Sequence, residues 1–205
     1  MRSILIAAAA ALASGCLGGL KDVPPAPITY RIDAPSFAAG GPLAADLMVI
    51  VAEVAPGLDG PGIAGRWPGG RLDYLAGTRW ADALPRLVQA ALIESLQDSG
   101  RLRSVQSDLG RFRATHTLVV EVRRFEADYT AGGMPVAQVA LAVTLGRASD
   151  RRVLAAFTAS ASEASAENRQ TAVVAALDAA FARASVEMAG RVFDALAAEK
   201  GNGGV

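Results

Sequence analysis

The chain has 205 residues, 52% of them hydrophobic, enough for one domain with a substantial core. Its 20 basic and 20 acidic residues cancel, so no global field steers it toward nucleic acid. A single cysteine excludes an internal disulfide, and a single histidine excludes a histidine-rich metal centre.

The chain opens on a short leader. Met1-Arg2-Ser3 is a cationic start, Ile4 to Leu12 an apolar stretch, and Ala13-Ser14-Gly15 a small-residue run directly before Cys16. The apolar stretch is far shorter than the ~20 residues that cross a bilayer, so it reads as an export leader rather than a span. With a cysteine at the cut, the pattern resembles a bacterial lipoprotein signal. On that reading residues 1–15 are removed and Cys16 becomes the amino terminus, with a diacylglyceryl group on its sulfur and an acyl chain on its nitrogen. Ala13 stands where such signals usually carry leucine, with Leu12 displaced by one. Leu17, in place of the aspartate that commonly retains lipoproteins at the inner membrane, favours the outer membrane, with the domain facing the periplasm.

Residues 16–27 then form a lipidated Gly/Pro-rich tether, reaching at most about 35–40 Å at ~3.3 Å per residue. The folded domain is expected over 28–199, with a frayed tail at 200–205. A strand at Ile28–Asp33 is followed by a strongly apolar one from about Leu47 to Val54. Short strands at Ile63–Trp67 and Arg71–Leu75 interrupt a region dense in glycine and proline. Asp82 is the expected N-cap of a helix over 82–99, with Pro85 in its first turn and Gly100 as its stop. Leu84, Val88, Ala91, Leu92, Ser95 and Leu96 keep one face of it. Arg101, Arg103, Arg111 and Arg113 then flank what reads as a solvated loop.

Thr117–Ala127 alternates Leu118, Val120 and Val122 against Glu121 and Arg123, a half-buried strand. Val136–Leu145 and Val153–Ala161 alternate likewise around a polar turn and make a hairpin. Over 168–199, Val173, Leu177, Phe181, Ala184, Met188, Val192 and Leu196 recur at steps of three and four, giving a long amphipathic helix. The expected fold is α+β: a mainly antiparallel sheet with both helices packed on one face.

Chemical motifs are few. Gly60-Pro61-Gly62-Ile63-Ala64-Gly65 spells G-x-G-x-x-G, but Arg66-Trp67-Pro68-Gly69-Gly70 follows and cannot open the helix that a dinucleotide needs. No phosphate loop ending in Gly-Lys-Ser/Thr and no G-x-S-x-G elbow occurs. His116, at the start of a strand, reads as a surface or strand-edge residue rather than a catalytic one. The carboxylates fall into no acid/base spacing. Trp67, Tyr74 and Trp80 cluster, either packing the base of the first helix or forming an exposed partner-binding edge.

The leader, Ile28-Thr29-Tyr30-Arg31-Ile32, Pro56-Gly57-Leu58-Asp59, Arg71-Leu72-Asp73-Tyr74, Arg79-Trp80-Ala81-Asp82-Ala83-Leu84-Pro85 and the long terminal helix together resemble the ABC-type transport auxiliary lipoprotein family. Tyr74, followed by Arg79-Trp80 and by Leu84-Pro85 opening a helix, is the most specific piece; the glycine-rich 60–70 segment departs from the family pattern. The resemblance implies a non-enzymatic accessory of an MCE-domain substrate-binding protein and its ABC permease and ATPase, serving lipid or organic-solute trafficking. It carries over Cys16 as the acylation site and no catalytic residue, cofactor or metal. Tyr74, Arg79 and Trp80 are the candidate partner contacts, and self-association is conceivable. Two other classes remain open: an outer-membrane assembly lipoprotein of similar architecture, and a lipid-modifying hydrolase acting through His116 or a serine.

Overall fold

The structure, a computed structural model, describes residues 25–202; the leader, Cys16, the tether through residue 24 and residues 203–205 lie outside them. In chain order the elements are β1 (Ile28–Tyr30), β2 (Leu43–Val54), β3 (Ala64–Trp67), a single 3-10 turn at Pro68–Gly70, β4 (Arg71–Tyr74) and β5 (Thr78–Trp80). Then come α1 (Leu84–Asp98), β6 (Leu102–Ser107), β7 (His116–Asp128), β8 (Val136–Arg147), β9 (Val153–Ala164) and α2 (Gln170–Asn202). The fold is α+β, as the periodicities require. α2 runs three residues past the expected end of the domain.

The sheet is mixed rather than mainly antiparallel. The long pairings β7–β8 and β8–β9 are antiparallel, as is β3–β4, but β2 lies parallel to both β6 and β7, and β3 runs parallel to β7. A separate two-stranded ribbon pairs β1 with β5 in parallel. β7 is the spine. β8 lines one edge of it throughout, while β2 lines the other edge from His116 to Val122 and β3 takes over from Glu126 to Asp128. Where the edge changes hands, β7 shifts register against β8 between Val122 and Arg124. Side chains alternate with a period of two, so this bulge resets the phase. Val122 and then Phe125 and Ala127 face the core, while Arg123 and Arg124 stay outside.

Both helices cover one face of the sheet. α1 packs on β2 and β6 and buries Leu84, Val88, Ala91, Leu92, Ser95 and Leu96, the stripe set by its 3.6-residue period. α2 lies on β8 and β9, burying Val173, Leu177, Phe181, Ala184, Met188, Val192 and Leu196. Small residues on both sides, Ala176, Ala180 and Ala184 on α2 and Ala159 on β9, line this contact within the core.

The start of α1 corrects one expectation. Its N-cap is Ala83, without a side-chain cap; Asp82 instead accepts the Ala83 N–H at 2.7 Å and pairs with Arg86. The Gly60 carbonyl accepts the Leu84 N–H at the helix start, and the Pro61 carbonyl accepts the Trp80 N–H of β5 at 2.7 Å. The G-x-G-x-x-G segment therefore offers carbonyls to α1 and to β5, the reverse of the N–H groups a phosphate would need.

Candidate functional site

The expected partner contacts divide. Trp80 is 1% exposed and meets Phe125 edge-on at 5.8 Å, and Phe125 lies 5.8 Å from Phe181 of α2. Its indole is a core anchor between ribbon, sheet and helix, so it cannot offer its ring to a partner in this conformation. Tyr74, 47% exposed, lies across Gly62, whose missing Cβ leaves the space its ring occupies, and its hydroxyl donates to the Gly57 carbonyl at 3.0 Å. Arg79 is exposed on β5. Trp67 stacks on Tyr129, with ring centroids 4.8 Å apart, and Arg71 lies over its face. Cys16 lies outside the described residues.

A cavity of about 790 Å³ opens where β2 and β7 begin, β8 ends and α2 finishes. Leu43, Ala45 and Leu196 line its apolar part, and Arg113, Arg147 and Glu199 its polar part. His116 also lines it, and is buried rather than at the surface or an edge. Its Nε2 lies 2.6 Å from Glu199 Oε2, and its Nδ1 lies 2.8 Å from Thr115 Oγ1. Arg147 also bonds Glu199 and reaches Asp150 at 3.1 Å. Burial alone would raise the Glu199 carboxyl, but the hydrogen bonds from His116 and Arg147 outweigh it and hold the group below its usual range. Glu199 therefore accepts from both neighbours and fastens the last turns of α2 to the sheet.

Histidine, a hydroxyl and a carboxylate in a row have the composition of a nucleophile relay. Here Thr115 Oγ1 is already held between the Asp46 N–H at 2.9 Å and the Asp46 carbonyl at 3.2 Å. The trio ties β7, β2 and α2 together. Among the described residues, no three His, Cys, Asp or Glu side chains gather as a metal site, and no helix is long and apolar enough to cross a membrane. No sequence pattern marks Glu199, which is 83 residues from His116 and lies past the last large apolar position of its helix.

A second feature adjoins the groove. Residues 108–115 carry the chain from β6, on one side of β2, to β7 on the other. Leu109 is 87% exposed and Phe112 82%, each forgoing about 1.5–3 kcal/mol of burial. Their display is built. The Gln106 side chain accepts the Phe112 N–H at 3.3 Å and donates to its carbonyl at 2.6 Å. Gly110 lies so close to that amide that a Cβ has no room. Asp108 accepts from Gln89 of α1 at 3.0 Å. The arginine-flanked loop expected here is in part a strand, β6, and its tip is apolar.

On α2, burial and the nearby charge of Asp33 push the Asp178 carboxyl up to about 7, and its Oδ1 is buried with no partner among the described residues.

The architecture is thus a two-helix layer on a mixed sheet, with a fastened groove beside a displayed loop. The family model described as the ABC-type transport auxiliary lipoprotein component matches residues 31–189, and the chain belongs to that family. The family is described as a lipoprotein component auxiliary to ABC-type transport. The chain is 34% identical over 138 residues to an uncharacterized protein of Bradyrhizobium diazoefficiens, covering 66% of this chain and about a third (33%) of the relative's length. The crystal structure of protein XCC0632 from Xanthomonas campestris is similar, with TM-score 0.78 and 26% identity, covering 84% of this chain and 98% of that one. Another uncharacterized protein shares the fold, with TM-score 0.63 at 17% identity, covering 82% and 99%.

Proposed function

We propose that this chain is a non-catalytic accessory of an MCE-type ABC transport system, anchored by acylated Cys16 in the outer membrane and facing the periplasm. The family match over residues 31–189 carries this reading. The lipoprotein-like leader supports it by supplying an acylation site at Cys16. Two or more acyl chains, each CH₂ contributing about 0.8 kcal/mol when buried, hold the protein at the bilayer essentially permanently. The tether then raises the local concentration of the domain at its partner. Tyr74 and Arg79, exposed on β4 and β5, are the residues offered to an MCE-domain protein or its permease, and lipid or organic solute is the cargo.

Photo-cross-linking from Tyr74 and Arg79 in intact cells tests the partnership. MCE or ABC subunits are the expected products; recovery of outer-membrane assembly factors alone refutes it. Mass spectrometry of the amino terminus tests the anchor, and an unmodified Cys16 thiol or a retained leader removes it.

A further inference from the structure

We propose that the 108–113 loop is a second, non-covalent membrane contact, which seats Leu109 and Phe112 in the headgroup region of an anionic bilayer and lays Arg111 and Arg113 on its phosphates. The proposal rests on the membrane location inferred above but concerns how the domain meets that surface.

Three observations carry it. First, Leu109 and Phe112 are far more exposed than the other large apolar side chains outside the core, and Gln106, Gly110 and Gln89 fix the loop that shows them. A preformed loop loses little conformational freedom on docking. Second, the loop is net positive. Arg111 and Arg113 make no salt bridge among the described residues and outnumber the one carboxylate, Asp108, which is turned to Gln89 of α1. The molecule is neutral as a whole, so attraction to anionic lipid must be local, as it is here. Third, the apolar area suits a bilayer better than a protein. Two side chains fall well short of the ~800 Å² per partner that a stable protein interface covers. The other exposed large apolar residues, Ile28, Leu72, Tyr74, Met134, Val153 and Val186, sit on other elements of the fold. A few apolar groups beside arginines match the chemistry of shallow interfacial insertion.

The test uses the full chain as the cell exports it, reconstituted on vesicles of phosphatidylcholine alone or mixed with phosphatidylglycerol, each with or without brominated lipid. Phe112→Trp adds a reporter; the protein without this change, with Trp67 and Trp80, supplies the background. The expected result is a blue-shifted added emission quenched by brominated lipid on the anionic vesicles, and much less so on phosphatidylcholine. Arg111→Gln with Arg113→Gln should reduce the inserted fraction about tenfold or more, since each arginine near an anionic surface contributes roughly fivefold. Emission that stays solvent-like on both vesicles, while the protein floats with them, overturns the proposal and leaves the acyl anchor standing. Protection that appears only when MCE or ABC subunits are added overturns it in favour of a protein partner. Quenching on a chain with an unmodified Cys16 supports the loop contact and refutes the anchor instead.

Discussion

Residues 57–75 and 107–115 both bring a glycine against a side chain, with opposite outcomes. In the first, Gly62 lets the Tyr74 ring lie on the backbone, Trp67 covers Tyr129, and Trp80 just beyond is swallowed by the core. In the second, Gly110 admits the polar amide of Gln106 and the apolar side chains are turned outward. Aromatic residues clustered in sequence are thus partly consumed by packing, while an inconspicuous loop holds the greatest exposed apolarity. Where apolar area ends up depends on which neighbour reaches the backbone first, a matter of tertiary contact rather than composition.

The contrast can be strained at several points. Trp80→Ala should cost most, about 3–5 kcal/mol in urea unfolding, because it empties a site enclosed by Phe125 and its neighbours. Gly62→Ala should cost about 1–3 kcal/mol by driving a methyl into the Tyr74 ring, and Tyr74→Ala in that background should recover most of the loss. Glu199→Gln should cost a similar or somewhat smaller amount, about 1–2 kcal/mol, by weakening its bonds to His116 and Arg147. Hydrogen exchange should rise first in the last turns of α2. Because the Glu199 carboxyl is held low, its contribution is present above the ordinary glutamate range and fades as pH falls through the folded-state value.

Asp178 works in the opposite sense. Raised to about 7, it keeps a proton in the folded state that the unfolded chain has lost, so stability falls as pH rises between about 4 and 7. Asp178→Asn should remove that slope, adding about 1 kcal/mol at mildly alkaline pH after allowance for the partial exposure of the carboxyl, and almost nothing in acid. The smallest effect belongs to the displayed loop. Leu109→Ser and Phe112→Ser should each move thermal stability by no more than about 0.5 kcal/mol, since both side chains are already in water. A large loss there would mean that the loop belongs to the core and would erase the contrast.

Periodicity made much of this legible. The buried stripes of α1 and α2 and the alternation of β8, and of β7 as far as Val122, are the ones read from spacing, since each carries a run of one period; on β9 Ala155 and Phe157 share a face as expected, while Val153 is exposed. Three-residue β5 is too short to show any period. β6 was hidden because only Val105 in it is buried. Parallel pairing of β2 with β7 was unexpected because no helix directly joins β6 to β7 to announce a crossover. The tie from His116 to Glu199 joins the middle of the domain sequence to its end, 83 residues on, and a single chain offers no local signal for it. Arg111 and Arg113 stand out in the sequence as charges, whereas Leu109 and Phe112 belong to no period and so carry no signal.

The edge change along β7 has a mechanical corollary. The β3–β4 pair, which bears Tyr74, is stitched to the far end of the same strand whose first residue lines the groove, about 33–40 Å away at ~3.3 Å per residue. The flap and the end where α2 is fastened thus share one strand, whose ladder to β8 is broken only at the bulge between Val122 and Arg124.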